Sequence, residues 1–325
     1  MNKKILITGA GGFIGSHLTE LLVKEGFDVK AFVHYNSKNN WGWLENSEVK
    51  DKIEVISGDI RDYDSVYNAL QECNAVFHLA ALIGIPYSYV SPKAYIETNI
   101  TGTYNVLQAS KELGIEQVLV TSTSETYGTA QYVPIDEKHP MVGQSPYSAS
   151  KISADQLTIS YYRSFNLPVK IVRPFNTYGP RQSARAIIPT VISQILSGKK
   201  TIKLGNLSPT RDLTFVKDTC KGFLEIYRCN KLFGEVTNIG MKNEITVGDL
   251  VNKIARLLHV DLEIVTEEQR VRPENSEVER LFCDNNKLIT NTNWNPDYDL
   301  DSGLADTIEW LKINIEAYKT NIYNV

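Results

Sequence analysis

A short apolar run, Lys4-Ile5-Leu6-Ile7-Thr8, leads straight into Gly9-Ala10-Gly11-Gly12-Phe13-Ile14-Gly15-Ser16-His17, and no other feature of the chain restricts its fold as much. Glycine accepts positive φ and lets a backbone come close to another group. Gly9, Gly12 and Gly15 therefore permit a tight strand-to-helix turn, whose amides and helix dipole suit a pyrophosphate. The spacing is G-x-x-G-x-x-G rather than G-x-G-x-x-G. Phe13 and Ile14 open a helix whose apolar stripe continues through Leu18, Leu21 and Leu22, so strand, glycines and amphipathic helix arrive in the order a dinucleotide turn demands.

The rhythm then repeats. Strands are expected at 4–8, 28–33, 53–56, 75–79, 117–121 and 169–173. Helices are expected at 14–25, 64–71, 92–113 and from Pro146 to about Phe165, with an irregular loop over 34–50 that holds Trp41 and Trp43. Alternation of this kind specifies an α/β fold, a Rossmann-type doubly wound parallel sheet. Beyond Pro180 the pattern changes, with helices near 185–197, 217–228, 246–258 and 302–318 and strands near 201–204, 235–238 and 262–265. We expect residues 1–180 to form the dinucleotide-binding domain, its sheet completed by segments near 235–240. Residues 181–325 are expected to be mainly a smaller C-terminal α/β substrate-binding lobe.

Composition narrows the function classes. With 325 residues, 42% apolar and 22% charged, the chain is long enough for a sizeable core, and its net charge of -4 gives no electrostatic reason to expect a nucleic-acid partner. Four cysteines without C-x-x-C spacing or clustered histidines point to no metal and no disulfide framework. No apolar run is long enough to imply a membrane partner, and Met1-Asn2-Lys3-Lys4 enters a strand without a signal-peptide core, so the expected location is cytoplasmic.

Candidate site residues gather at the ends of the expected strands, where ligands of doubly wound folds bind. His78-Leu79-Ala80-Ala81 ends one strand in small side chains that leave room for a ligand; Asp59 ends another, where it can accept from an adenine amino group. The strand that should end in a carboxylate for the ribose 2′-hydroxyl runs instead into Val33-His34-Tyr35-Asn36-Ser37-Lys38. With no acid to repel a 2′-phosphate, no arginine in the segment, and His34, Ser37 or Lys38 able to contact one, NAD and NADP both stay open. Tyr147 and Lys151 are four apart on an expected helix and share a face, so the ammonium can stabilise the phenolate as a proton acceptor. Thr123, Ser124 and Glu125 follow the fifth strand and add hydroxyls and a carboxylate.

Taken together, Gly9-x-x-Gly12-x-x-Gly15, His78-Leu79-Ala80-Ala81, Ser122-Thr123-Ser124-Glu125-Thr126-Tyr127-Gly128, Tyr147-x-x-x-Lys151, Arg173-Pro174-Phe175-Asn176-Thr177-Tyr178-Gly179-Pro180 and Arg211-Asp212 resemble the extended short-chain dehydrogenases/reductases that act on nucleotide sugars. Ser122-Thr123-Ser124-Glu125 is similar to the segment of GDP-mannose 4,6-dehydratases; dTDP-glucose 4,6-dehydratases usually carry Asp where this chain has Ser124. Trp41-Gly42-Trp43 and Leu82-Ile83-Gly84-Ile85-Pro86-Tyr87-Ser88-Tyr89 resemble the legionaminic acid pathway dehydratases, which act on GDP-N-acetylglucosamine. The resemblance implies a 4,6-dehydratase with a tightly bound NAD or NADP that is regenerated at each turnover. Tyr147 and Lys151 would then work at the cofactor, Thr123 at the C4 oxygen and Glu125 at the C5 proton, with Ser124 or a water at the leaving 6-hydroxyl. It also implies cofactor contacts from Phe13, Ile14, Ile60, Leu79, Ala80, Ala81 and Asn99, substrate contacts from Asn176, Arg211, Arg272 and Glu277, and a homodimer paired through helices 92–113 and 146–165. A 4-epimerase or decarboxylase starts from the same C4 oxidation. Decarboxylases of the family carry a similar Ser-Thr-Ser-Glu segment but need a cation for a C6 carboxylate, and no extra arginine occurs in the sequence near 82–89; an epimerase does not need Glu125. A non-catalytic NAD(P)-binding sensor would tolerate loss of Tyr147 or Lys151, and both are present.

Overall fold

The computed structural model describes residues 2–320 and 322. β1 (Lys4–Thr8), β2 (Asp28–His34), β3 (Glu54–Gly58), β4 (Ala75–His78), β5 (Gln117–Thr121) and β6 (Val169–Pro174) alternate with helices. α1 (Phe13–Lys24) follows β1 and α2 (Tyr63–Leu70) follows β3. α3 (Ile85–Val90), α4 (Pro92–Tyr95) and α5 (Gly102–Leu113) follow β4, and α6 (Pro146–Phe165) lies between β5 and β6. Downstream come β7 (Asn176–Tyr178), α7 (Ile187–Leu196), β8 (Thr201–Leu204), β9 (Thr210–Arg211), β10 (Leu213–Phe215), α8 (Val216–Arg228), β11 (Val236–Ile239), β12 (Ile245–Thr246), α9 (Val247–Leu257), β13 (Glu263–Thr266), α10 (Asn286–Asn291) and α11 (Leu300–Asn314).

Seven strands form one parallel sheet in the order β11-β6-β5-β4-β1-β2-β3. Side chains alternate across it as strand geometry requires: Ile5 and Ile7 enter the core beneath α1 and α8, whereas Leu6 joins Val76, Val118 and Val120 beneath α2, α5 and α6. Both faces are thereby buried, the condition a parallel sheet needs. Strand order reverses between β1 and β4, whose last residues Thr8 and His78 are partners, so a crevice opens at that edge.

The sheet draws β11 from far along the chain, Val236 pairing with Ile171. Outside it, β8 pairs with β13, β7 with β10 and β9 with β12. Local chemistry sets the helix carrying Tyr147: Ser145 Oγ accepts from Ser148 N at 3.1 Å, Ser148 Oγ accepts from Ser145 N at 3.0 Å, and Pro146 occupies the first turn. The helix expected over 92–113 is α4, a wide turn at Ile96–Thr101, and α5. The loop 34–50 is less irregular than expected, with tight helical turns at Gly42–Asn46 and Lys50–Lys52. Among the described residues no helix is long and apolar enough to cross a membrane.

Candidate active site

A cleft of about 1220 Å³ runs along the C-terminal ends of the strands, more than the roughly 300–1,000 Å³ that one small ligand takes. There is room for two ligands side by side. At one end lies the glycine turn. Gly9 has φ +71°, and Gly15 has no space for a side chain, since a Cβ there would stand 2.1 Å from Gly9 O. No side chain caps α1 at Gly12. The first amide to bond within the helix is Ser16 N, to Gly12 O at 3.0 Å, so the amides of Phe13, Ile14 and Gly15 remain donors. Together with the helix dipole they form a cradle for a diphosphate.

The segment after β2 crosses this turn as a strap. Trp43 N donates to Gly11 O at 3.0 Å, and Gly11 and Gly42 approach so closely that a Cβ on Gly42 would fall 2.3 Å from Gly11 O. The strap is pinned from outside by Trp43 packing edge-on against Trp310 of α11 at 5.3 Å, and from within by Trp41 N donating to Glu45 at 2.8 Å. Gly11 thus has a packing duty that the glycine spacing alone did not assign.

At the ends of β2 and β3, His34 and Asp59 line the cleft with Ile60. Arg61 grips Asp59, Nε lying 3.0 Å from each carboxylate oxygen, and this bond holds the carboxyl below its ordinary range. The sequence offered no arginine beside His34; Arg61 reaches the neighbourhood from the adjacent strand, because His34 and Gly58 are partners across the sheet. Ser37 is exposed and outside the cleft wall, where Asn36 stands instead. Asn99 also lies behind the wall: the wide turn of its helix directs it inward, where it donates to Leu82 O at 2.9 Å and Ser150 Oγ at 2.9 Å and accepts from Leu82 N at 2.8 Å. It braces the segment that follows Leu79, Ala80 and Ala81, which do line the cleft.

The middle of the cleft holds Thr123, Ser124, Glu125, Tyr147 and Lys151. Thr123 starts the turn Ser124–Tyr127, its Oγ1 accepting from Glu125 N at 3.3 Å. Lys151 Nζ donates to Thr121 O at 2.6 Å. Tyr147 is 7% exposed. Burial pushes its phenol well above the ordinary value, Thr123 opposes that shift by hydrogen bonding, and the Glu125 charge adds to it. Burial likewise draws the Lys151 ammonium down, against the pull of Asp155. Burial thus opposes the charged form of both groups, and a cation bound beside the phenol is what would lower the phenol's pKa. Behind this wall Arg173 Nη2 donates to Asp155 at 2.6 Å and Ser122 Oγ to the same carboxylate at 2.6 Å, tying α6 to β5 and β6. His78 accepts from Thr8 Oγ1 at 2.7 Å, Thr8 Oγ1 itself receiving Leu79 N and Ala80 N at 3.2 Å each, and burial keeps this imidazole neutral, its pKa lowered to about 3.

At the far end Glu277 Oε1 accepts from Arg211 Nη2 at 3.2 Å and from Arg272 Nη1 at 3.3 Å. Burial and the neighbouring Arg272 pull the Arg211 guanidinium down, while Glu125 and Glu277 support its charge. Two cations thus share one acid. Asn176 lines the same stretch, its buried Oδ1 without a partner, as is Thr121 Oγ1 in the wall nearby. Orphaned acceptors in a cleft wall suit a ligand that brings donors. One expectation is corrected here. The sequence shows no arginine near 82–89, yet the fold lays Arg185 over Gly84, where a Cβ would stand 3.0 Å from Nη1. A separation of about a hundred residues hid it.

The family model described as GDP-mannose 4,6 dehydratase matches residues 6–307. A dTDP-glucose 4,6-dehydratase of Streptomyces antibioticus is 31% identical over 95% of this chain and 92% of that protein. A UDP-N-acetyl-alpha-D-glucosaminuronate decarboxylase of Bacillus cytotoxicus is 32% identical over 96% of this chain and 98% of that protein. The crystal structure of DesIV, a dTDP-glucose 4,6-dehydratase from Streptomyces venezuelae with NAD bound, superposes with a TM-score of 0.88 at 27% identity, covering 97% of this chain and 99% of that one. On the strength of a match across nearly its whole length, the chain belongs to the GDP-mannose 4,6 dehydratase family of extended short-chain dehydrogenases/reductases, enzymes that convert nucleotide sugars.

Proposed function

We propose that the protein is a nucleotide-sugar 4,6-dehydratase that converts an NDP-hexose to its 4-keto-6-deoxy product with a tightly held NAD or NADP. The observation that carries this reading is Glu125, a carboxylate in the same cleft wall as Thr123 and Tyr147, because a 4-epimerase has no need of it. The glycine cradle fits a dinucleotide diphosphate, with Lys151 at the nicotinamide ribose. The nicotinamide, when bound, supplies the reversible two-electron chemistry between C4 and C6. Tyr147 takes the proton of the sugar 4-hydroxyl, Thr123 holds the C4 oxygen, and Glu125 removes the C5 proton made acidic by the new ketone. Water then leaves from C6, with Ser124 or a bound water beside the departing hydroxyl, and the 6-deoxy product forms as C6 receives the hydride taken from C4 and a proton returns to C5.

Arg211 and Arg272 hold the nucleotide diphosphate, with Glu277 setting their spacing and Asn176 anchoring the sugar side. Resemblance of Trp41-Gly42-Trp43 and 82–89 to legionaminic acid pathway dehydratases favours GDP-N-acetylglucosamine as substrate. A homodimer through α5 and α6 is supported by exposed Tyr104, Tyr162 and Phe165 on those helices. A second reading, decarboxylase or epimerase on a hexuronate, is favoured by Arg185, which supplies the cation such a substrate requires. Incubation with UDP-, GDP-, CDP- and dTDP-sugars and mass spectrometry of the products decides: loss of water supports the dehydratase, whereas loss of carbon dioxide, or an isomer of unchanged mass, refutes it. Deuterium placed at C4 should reappear in the new methyl group.

A further inference from the structure

Among the described residues, one arginine of the cleft wall has no ion pair. Arg61 is clasped by Asp59, Arg211 and Arg272 share Glu277, and Arg270 is paired with Glu267. Among the described residues, Arg185 is the lining arginine without an acidic partner. Its Nε donates to Ser183 Oγ at 3.1 Å, and among the described residues neither terminal nitrogen has a hydrogen-bond acceptor.

What lies beneath it is tied down by hydrogen bonds. Arg185 covers Gly84, whose missing side chain makes the approach possible: a Cβ there would stand 3.0 Å from Nη1 and 3.7 Å from Cζ. Asn99 holds Leu82 by both amide and carbonyl, and the fully buried Tyr95 donates its hydroxyl to Gly84 O. The Tyr95 ring in turn meets the Tyr147 ring edge-on at 6.1 Å. Arg185, an exposed side chain, therefore reaches the catalytic end of the cleft one aromatic ring away from the phenol, with its fork of donors unspent.

Resting on the nucleotide-sugar reading above, we propose that Arg185 is a specificity-determining residue that binds an oxyanion of the substrate, phosphoryl or carboxylate, through its two free Nη groups. A planar fork matches two oxygens of such a group, whereas a neutral hydroxyl takes a single weaker bond. A nucleotide sugar offers two sources: the phosphoryl attached to the sugar, and the C6 carboxylate of a hexuronate.

The test is equilibrium binding to cofactor-loaded protein, with Tyr147→Phe as background so that turnover does not intervene. Nucleoside diphosphate, NDP-hexose and NDP-hexuronate are titrated calorimetrically into parent, Arg185→Gln and Arg185→Lys proteins. Loss of a charge-assisted fork should weaken the affected ligands by about 10- to 100-fold in Arg185→Gln, with partial recovery in Arg185→Lys. Equal weakening of all three ligands assigns the phosphoryl; weakening confined to the hexuronate assigns the carboxylate. Gly84→Val, which displaces the guanidinium without removing its charge, should reproduce the loss while the melting temperature shows the fold intact. Affinities within twofold of the parent for all three ligands in Arg185→Gln would overturn the proposal. Because binding alone is read, this result is separate from the product analysis that tests the dehydratase reaction.

Discussion

Tyr147 and Glu125 face the same cleft but are assigned to different steps, so their removal should separate those steps. In Tyr147→Phe the proton acceptor is gone, and turnover should fall by roughly 10²–10⁴-fold with little change in substrate affinity. Glu125→Gln should still oxidise C4 yet stall before elimination, so reduced cofactor accumulates during a single turnover and its absorbance persists. A Glu125→Gln protein that releases 4-keto-6-deoxy product at the parent rate would remove Glu125 from the chemistry. At this scale the sequence was informative wherever chemistry depends on helical spacing or strand ends, as with Tyr147 and Lys151 or Thr123 through Glu125. It was silent on Arg61 and Arg185, which reach the cleft through strand pairing and a distant loop.

Regular elements were legible because their periodicity is long; β1 lies where the apolar run places it, and α6 starts at the Ser145 cap. Two- and three-residue strands such as β9, β12 and β7 escaped, since so short a stretch has no period to read and depends on its partner for definition. The wide turn within the helix after β4 is likewise set by tertiary demand, as Asn99 must face Leu82 and Ser150. The strap over the glycine turn carries its own prediction. Gly42 combines φ +66° with a contact that admits no Cβ, so Gly42→Ala should lift the strap from Gly11. Strain of this kind amounts to ~1–3 kcal/mol, and cofactor dissociation measured by dialysis or filtration should quicken by about tenfold or more, at ~1.4 kcal/mol per decade. Unchanged dissociation would show that the strap does not hold the cofactor.

For the molecule as a whole, two imidazoles, His78 buried and His17 half-buried, set an acid limit. His78 is lowered from 6.5 to about 3, chiefly by burial with Lys151 adding to it, and His17 from 6.5 to about 4 by burial and Arg181. A depressed base is neutral in the fold and protonated in the unfolded chain, so the unfolded state binds more protons as pH drops below 6.5. The stability they contribute is whole above that value and is lost progressively down to about 3 for His78 and about 4 for His17. Melting temperature should therefore decline from pH 7 toward pH 4, and His78→Gln should flatten the slope; an identical slope in that variant would assign the acid sensitivity elsewhere. The strap has a consequence on this scale too. A strap that puts Trp41 in the cleft wall and is tied to α11 through Trp43 and Trp310 would make a bound coenzyme behave as a prosthetic group, loaded when the chain folds and retained through successive turnovers. Activity would then track how completely the newly made protein was filled, rather than the free coenzyme concentration around it.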